Sequence, residues 1–380
     1  MTTPESPETA WSPLEGSSHA VALEILRHGP AARSDLARRL GLSSASLTRL
    51  TRPLLASGML RELDAVQGKP MGRPSLPLDL EVDAAHFIGV KLVAGRFYAV
   101  VTDLRGRVHE RFEGGLDTST PENTVRQLAD HVARMRRNDP RIAALGVSVG
   151  GAVSGRRIVE LSDLLGWGRV DLADELTRAT GLPSHIENDV TALTQAEHWF
   201  GEQSELDDFM LLTVGVGIGG GLVFGGRQVT GAGGTAGTIS HIELDPQGPV
   251  CSSGHTGCGV TTITSAAVAR RVGEVLGREV TFDEAIASTD PRAQAVVAHA
   301  AFLVGKLAGI IASILAPQSV LIAGDGIGIL EHHHDDLQQG FEYALPRRGS
   351  ATQIEIKRFD FWNWARGAAV VAIQMHVSGY

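Results

Sequence analysis

The pattern that most limits what this chain can fold into is an internal repeat. Three runs, Phe87–Val93, Arg96–Thr102 and Arg107–Phe112, read as a strand meander with a turn at Asp103-Leu104-Arg105-Gly106. Thr120-Pro121-Glu122 then starts a helix, Thr as cap and Pro in the first turn, that runs toward Arg137. A strand, Ile142–Val149, follows and ends in Gly150-Gly151. A similar order recurs: Phe209–Val216, a Gly-rich turn, Gly221–Phe224, a long helix Ala300–Leu315, and a buried strand Val320–Gly324. Two halves of meander plus helices, with Gly at the strand ends, predict a duplicated α/β fold that closes on a cleft.

The segment before the repeat has a different character. Residues 1–17, rich in Pro, Ser, Thr and Glu, predict a disordered tail. A first helix is expected from Ser18 to Gly29-Pro30, and a second from Ser34 as N-cap to Gly41. Ser43 or Ser44 caps a third, on which Leu47, Leu50 and Leu54 face inward. Ala37, Gly41 and Leu47 are spaced four and six apart. That is the spacing of a helix-turn-helix: a small residue where helices meet, Gly in the turn, an apolar anchor in the second helix. Ser44, Ala45, Thr48, Arg49 and Arg52 then project from the start of the recognition helix, with Pro53 beyond them. A strand Met59–Leu63 and a return at Leu76–Leu80 predict a wing, with Arg73 at its tip placed to enter a minor groove.

Charge supports this division. The chain has 380 residues and a net charge of −9, which argues against a nucleic-acid-binding surface over the whole molecule. Between 25 and 75, however, Arg27, Arg33, Arg38, Arg39, Arg49, Arg52, Arg61, Lys69 and Arg73 face only Asp35, Glu62 and Asp64. A basic module beside an acidic body is the electrostatic footprint of DNA binding. With 2 Cys there is no disulfide framework, and a reducing compartment is expected. Residues 1–18 lack the features of a signal peptide, and 301–324 reads as too short to span a bilayer. A cytoplasmic protein with no membrane partner is expected.

Several segments together resemble the ROK family (repressors, open reading frames and sugar kinases), whose fold is actin-like and related to hexokinase. They are Leu145 through Gly151, Leu165-Gly166-Trp167, Glu187-Asn188-Asp189, Gly215 through Gly221, Gly237 through His241, Cys251 through Cys258, and Ala365 through Ala369. The resemblance covers roughly residues 18–375. It implies an α/β, hexokinase-like two-lobed body behind a winged helix-turn-helix. The expected division is a tail at 1–17, the winged module at 18–80, a first lobe at 81–198 with 365–380, and a second lobe at 199–364 containing a zinc-type loop at 241–260.

The resemblance also implies site residues. Asp189 matches the base of the family's kinases and Asn188 a sugar-binding amide; Gly150 and Gly151 let backbone amides approach a ligand, and His241 completes the set. The phosphate machinery departs from the family pattern. Lys91 stands where an acidic residue helps hold magnesium, and Val216 interrupts the second phosphate loop, leaving Gly217, Gly219, Gly220 and Gly221 as structural turns. ATP is therefore not expected as a cofactor. Thr238 and Val260 replace two sugar-binding carboxylates. The family's structural zinc is matched by His241, Cys251 and Cys258, while Ser253 stands in place of a thiolate. His255 supplies the fourth ligand, or water does, or the loop is metal-free. His332-His333-His334 reads as a solvated turn.

The expectation is a non-enzymatic transcription regulator, a repressor of carbohydrate uptake or metabolism genes. It would bind an inverted-repeat operator as a homodimer or homotetramer and respond to a sugar or sugar derivative. The alternatives are a sugar kinase with an appended module and a ligand-independent DNA-binding protein.

Overall fold

The computed structural model describes residues 16–64, 76–232, 237–345 and 351–378. The chain divides into two units, Met1–Ser204 with Trp364–Tyr380, and Glu205–Asn363.

The first unit opens with α1 (Gly16–His28), α2 (Arg33–Arg39) and α3 (Ser44–Ala56), then the strands β1 (Leu60–Glu62) and β2 (Leu78–Leu80). Gly16 and Ser17, expected in the tail, form the first turn of α1; the rest of the expected tail lies outside the described residues. Val21, Ile25, Leu26, Leu36, Leu47, Leu78 and Leu80 are fully buried, so the helices and the ribbon have a core of their own. β1 and β2 pair antiparallel with Leu60 opposite Leu80, as a wing requires. The expected wing tip at Arg73 lies outside the described residues.

Two local expectations are corrected. Ser34 does not cap α2: the helix starts at Arg33, with Ala32 at the cap position and no side-chain cap. The cause is the bridge between Ala31 and Leu78, whose two backbone hydrogen bonds hold the chain extended until the helix begins. On α3 the buried positions are Leu47, Thr51 and Leu54, while Leu50 is half-buried. Thr51 tolerates burial because its hydroxyl donates to the Leu47 carbonyl at 3.0 Å. Ser43 caps this helix by accepting from the Ser46 amide. Gly41, at φ +64°, makes the turn before it.

A 3-10 turn, Val82–Ala84, leads into the meander β3 (His86–Val93), β4 (Arg96–Thr102) and β5 (Val108–Gly115). There follow α4 (Pro121–Asn138), β6 (Ile142–Val149), the hairpin β7 (Ala152–Ser154) and β8 (Ile158–Leu161), α5 (Leu172–Thr180), β9 (Ser184–Asn188) and α6 (Asp189–Phe200). The sheet order is β5-β4-β3-β6-β9, with β6 parallel to both its neighbours. Most of the C-terminal helix, Phe361–Ser378, belongs to this unit and lies very close to the sheet. A Cβ on Gly89 or Gly146 would come within 2.1 or 1.9 Å of a carbonyl of that helix. Glycine at both positions is what permits the close approach.

The second unit repeats the topology. β10 (Phe209–Val214), β11 (Ile218–Phe224) and β12 (Arg227–Val229) form the meander. Then come α7 (Gly259–Thr262), α8 (Ser265–Leu276), α9 (Phe282–Ile286), α10 (Pro291–Leu315), β13 (Ser319–Ala323), α11 (His334–Ala344) and β14 (Gln353–Ile356). The order is β12-β11-β10-β13-β14, again antiparallel on one side of the first strand and parallel on the other.

Gly219, Gly220 and Gly221, expected in turns, lie inside β11 opposite Thr213, Leu212 and Leu211. The Gly220 amide donates to the Gly237 carbonyl at 3.0 Å and a Cβ on Gly237 would lie 1.7 Å from the Gly220 carbonyl, so glycine here serves close backbone packing rather than turning. The long helix is also longer than expected. Asp290 caps it and Pro291 opens it, and by length and composition it is enough to cross a membrane. Here Val297, Ala301, Val304, Leu307 and Ala308 bury it in the core of the unit with β10, β13, α8 and α11.

Candidate functional site

Three places hold the residues singled out by sequence. The first is α3. Ser44, Ala45, Thr48, Arg49 and Arg52 are all exposed on it, while Leu47, Thr51 and Leu54 anchor the opposite face. The Thr48 hydroxyl donates to the Ser44 carbonyl at 2.9 Å. Other arginines of the module are engaged: Arg38 with Asp35 at 2.7 Å, Arg39 with Glu24 at 3.2 Å, and Arg33 with Glu62. Arg49 and Arg52 have no ion-pair partner among the described residues. Two uncommitted guanidinium groups on a face of short side chains form a surface suited to phosphates and base edges.

The second place is the end of β6 and β9 in the first unit. Asn188 ends β9 and caps α6, its Oδ1 accepting from the Thr191 amide at 3.0 Å and its Nδ2 donating to the Gly151 carbonyl at 2.9 Å. Gly150 lies beside Asp189, and Ser162 donates to its carbonyl at 2.5 Å. Asn188, Asp189, Gly150 and Gly151 therefore lie together at these strand ends.

The unexpected member is Lys91. Expected at a magnesium region, it is buried on β3 and its ammonium pairs directly with the Asp189 carboxylate, while lying 5.5 Å from the centre of the Trp364 ring. The Asp189 carboxylate is thus engaged by a cation of the chain itself. The signal for this was present in the sequence: a lysine inside an otherwise apolar central strand needs a carboxylate partner. Beneath it, burial pushes the Glu187 carboxyl up despite Arg156 at 3.5 Å.

The third place is in the second unit. Gly215, Val216 and Gly217 make the turn after β10, and Asp325, just after β13, reaches into it. Its Oδ1 accepts from the Val216 amide at 3.3 Å, and a Cβ on Gly215 would lie 1.6 Å from the same oxygen. A carboxylate sits where a phosphate-binding turn would offer its amides.

Further on, His241, Cys251 and Cys258 bring their ligand atoms within 4.8 Å of one another. His241 Nδ1 lies 3.6 Å from the Cys251 sulfur and 3.8 Å from that of Cys258. His255 approaches Cys251 at 3.5 Å but is exposed, and stands outside that mutually close set. Burial opposes ionisation of Cys251, but hydrogen bonds from His255, the Ser253 backbone and the Cys258 thiol outweigh it and bring the thiol down to about 6. His241 lies with the two cysteines in the second unit, and Asn188 and Asp189 lie in the first. His333, at the start of α11, pairs with Asp336 at 3.0 Å.

Two sheets of identical order, one bearing an Asn-Asp pair at a strand end and the other a glycine turn and a His/Cys loop, define a hexokinase-like α/β body. The ROK family matches residues 87–375, and the chain belongs to that family. It is 30% identical over 331 residues to the DNA-binding transcriptional dual regulator NagC of Escherichia coli K12, covering 81% of this chain and 80% of that one. It is 24% identical over 374 residues to the transcriptional repressor Mlc of the same organism, covering 92% and 90%. Among solved structures, a ROK family transcriptional regulator described as a homologue of E. coli MLC superposes with a TM-score of 0.80 at 23% identity, covering 95% of this chain and 98% of that one. The ROK hexokinase of Thermus thermophilus gives 0.68 at 26% identity, covering 77% and 100%.

Proposed function

We propose that the chain is a DNA-binding transcriptional regulator, a repressor of carbohydrate uptake or metabolism genes whose body senses a sugar or sugar derivative. The observation that carries this reading is the uncommitted, exposed face of α3, with Arg49 and Arg52 opposite a buried anchor. The similarity to NagC and Mlc over most of the chain supports it. The operator is an inverted repeat read by a homodimer or homotetramer in the cytoplasm, since a helix-turn-helix reads one half-site per module.

The body acts as a sensor and not as a kinase. Lys91 neutralises Asp189, and Asp325 fills the glycine turn with negative charge. Asn188 retains one N–H and one lone pair for a ligand hydroxyl, and Gly150 and Gly151 line the same place.

Zinc fits the second unit. With Zn–S near 2.3 Å and Zn–N near 2.0–2.1 Å, a tetrahedron has S···N edges of about 3.6 Å. The observed separations run from 3.5 to 3.8 Å. His241, Cys251 and Cys258 would hold the ion, with His255 or water in the fourth position, and the ion would staple the 241–260 loop.

Gel shifts with genomic fragments test the function. Arg49→Ala and Arg52→Ala should each weaken binding by about 1–3 kcal/mol, Arg49→Ala also relaxing sequence preference. A coupled assay over hexoses and amino sugars should stay at background. Full DNA affinity after removal of residues 1–80, or ATP-dependent turnover, would overturn the reading.

A further inference from the structure

A second cluster of metal-ligating side chains lies in the first unit, apart from everything above. Asp83 is in the 3-10 turn that carries the chain from β2 into β3, His86 opens β3, and His109 is on β5. Their ligand atoms lie within 4.8 Å of one another. His86 is only 2% exposed, and its Nδ1 hydrogen-bonds the carboxylate of Asp139, just beyond α4. Arg141 holds the other oxygen of that carboxylate through its backbone amide and Nε, each at 3.1 Å.

The tautomer follows from this. A ring whose Nδ1 faces a carboxylate donates there, so a neutral His86 points the Nε2 lone pair outward. What it meets is Asp83 Oδ1 at 3.2 Å, and His109 Nε2 lies 3.5 Å from the same oxygen. His86 thus meets a carboxylate at each ring nitrogen, with the His109 nitrogen beside the second, an arrangement that a cation held among the three groups completes.

The geometry points to a cation: we propose that Asp83, His86 and His109 bind a divalent transition-metal ion of the zinc class, with Asp139 orienting His86 from behind. Metal–N and metal–O bonds near 2.0–2.1 Å give tetrahedral N···O edges of roughly 3.4 Å, bracketed by the two separations seen. Two imidazoles and one carboxylate are a zinc-type donor set, and a carboxylate behind the ligating histidine fixes its tautomer and raises its basicity. Asp83 and His109 are exposed, which leaves an entry path and room for water as fourth ligand. Bound there, the ion pins the turn that joins the winged ribbon to the sheet of the body.

The test uses the full chain, stripped with chelator, dialysed against zinc and analysed for metal per chain. His109→Ala and Asp83→Asn, both at exposed positions, should each hold one zinc fewer than wild type. Cobalt substitution separates the two sites, because thiolate charge-transfer absorption arises only from Cys251 and Cys258 and should be unchanged in both variants. Asp139→Asn should weaken zinc binding about 10–100-fold. Equal zinc in wild type and in both exposed-site variants would overturn the proposal, as would loss of the thiolate band together with the zinc.

Discussion

The two units share a strand order and differ in what has entered the turns at their strand ends. In the first, an ammonium from β3 satisfies the carboxylate that opens α6. In the second, a carboxylate following β13 satisfies an amide of the turn after β10. The charges are opposite and the result is the same: a polar group positioned by the fold is answered from within the chain. Topology places the strand ends; a single side chain at each decides whether that place is left for a ligand. The burial differs too. Lys91 and Asp189 side chains are 6% and 14% exposed, whereas Asp325 is at the surface. A change in the first unit should therefore cost stability, and one in the second should mainly alter chemistry.

The largest expected effect is at Lys91. Lys91→Ala leaves the Asp189 carboxylate in a low-dielectric site without its cation, which costs about 3–5 kcal/mol. Lys91→Met with Asp189→Asn removes both charges and should recover most of that loss, because the penalty lies in the unpaired charge rather than in the missing bond. Urea unfolding of the single and double variants measures it. Equal destabilisation in both would show that the pair is not the internal neutralisation described here.

Much of this was legible in the sequence, and the failures have physical causes. Ala37, Gly41 and Leu47 located α2, the turn after it and α3, and strand and turn residues located β4 and β6 to the residue. Ser34 misled because a tertiary bridge from Ala31 to Leu78 fixes the start of α2, and no local pattern reports that bridge. Gly219 to Gly221 misled because they lie within a strand, where glycine can serve close packing, as at Gly220, as readily as turning. For the site, resemblance brought Asn188, Asp189, Cys251 and Cys258 to attention. Lys91 was noticed for its charge and not for its partner, since residues 91 and 189 meet only through the parallel pairing of β3, β6 and β9. Asp83, His86, His109 and Asp139 carry no motif at all, being joined by sheet register and one loop.

The next effect distinguishes the units by pH. His185, on β9 of the first unit, is half-buried, and desolvation, with the positive charges of Arg156 and His376, lowers it from 6.5 to about 4. It is neutral in the fold, while the unfolded chain takes up a proton below its ordinary value. Stability is thus fully present above about pH 6.5 and falls as pH drops toward 4, by about 3 kcal/mol in all. His376, lowered by burial as well, adds to the same window. His185→Gln should flatten the profile there and leave it unchanged above pH 7. Unfolding midpoints across pH 4 to 8 measure this, and parallel profiles for the variant and wild type would contradict it.

The smallest effect on stability and the sharpest on chemistry is expected at Asp325. Asp325→Gly removes one exposed hydrogen bond to the Val216 amide and should cost less than about 1 kcal/mol. What it removes besides is negative charge beside Gly215, Val216 and Gly217, whose backbone then resembles an anion-binding turn. Tripolyphosphate, which has no base or sugar to recognise, should give no heat of binding with wild type and weak, salt-sensitive binding with the variant. Turnover with MgATP and a hexose should still be absent, because Lys91 remains on Asp189 in the other unit. Identical tripolyphosphate binding by variant and wild type would mean that Asp325 guards nothing, and the parallel between the two units would fail at its second member. Turnover in the variant would break the first member, since the Lys91–Asp189 pair would then not close that site to chemistry.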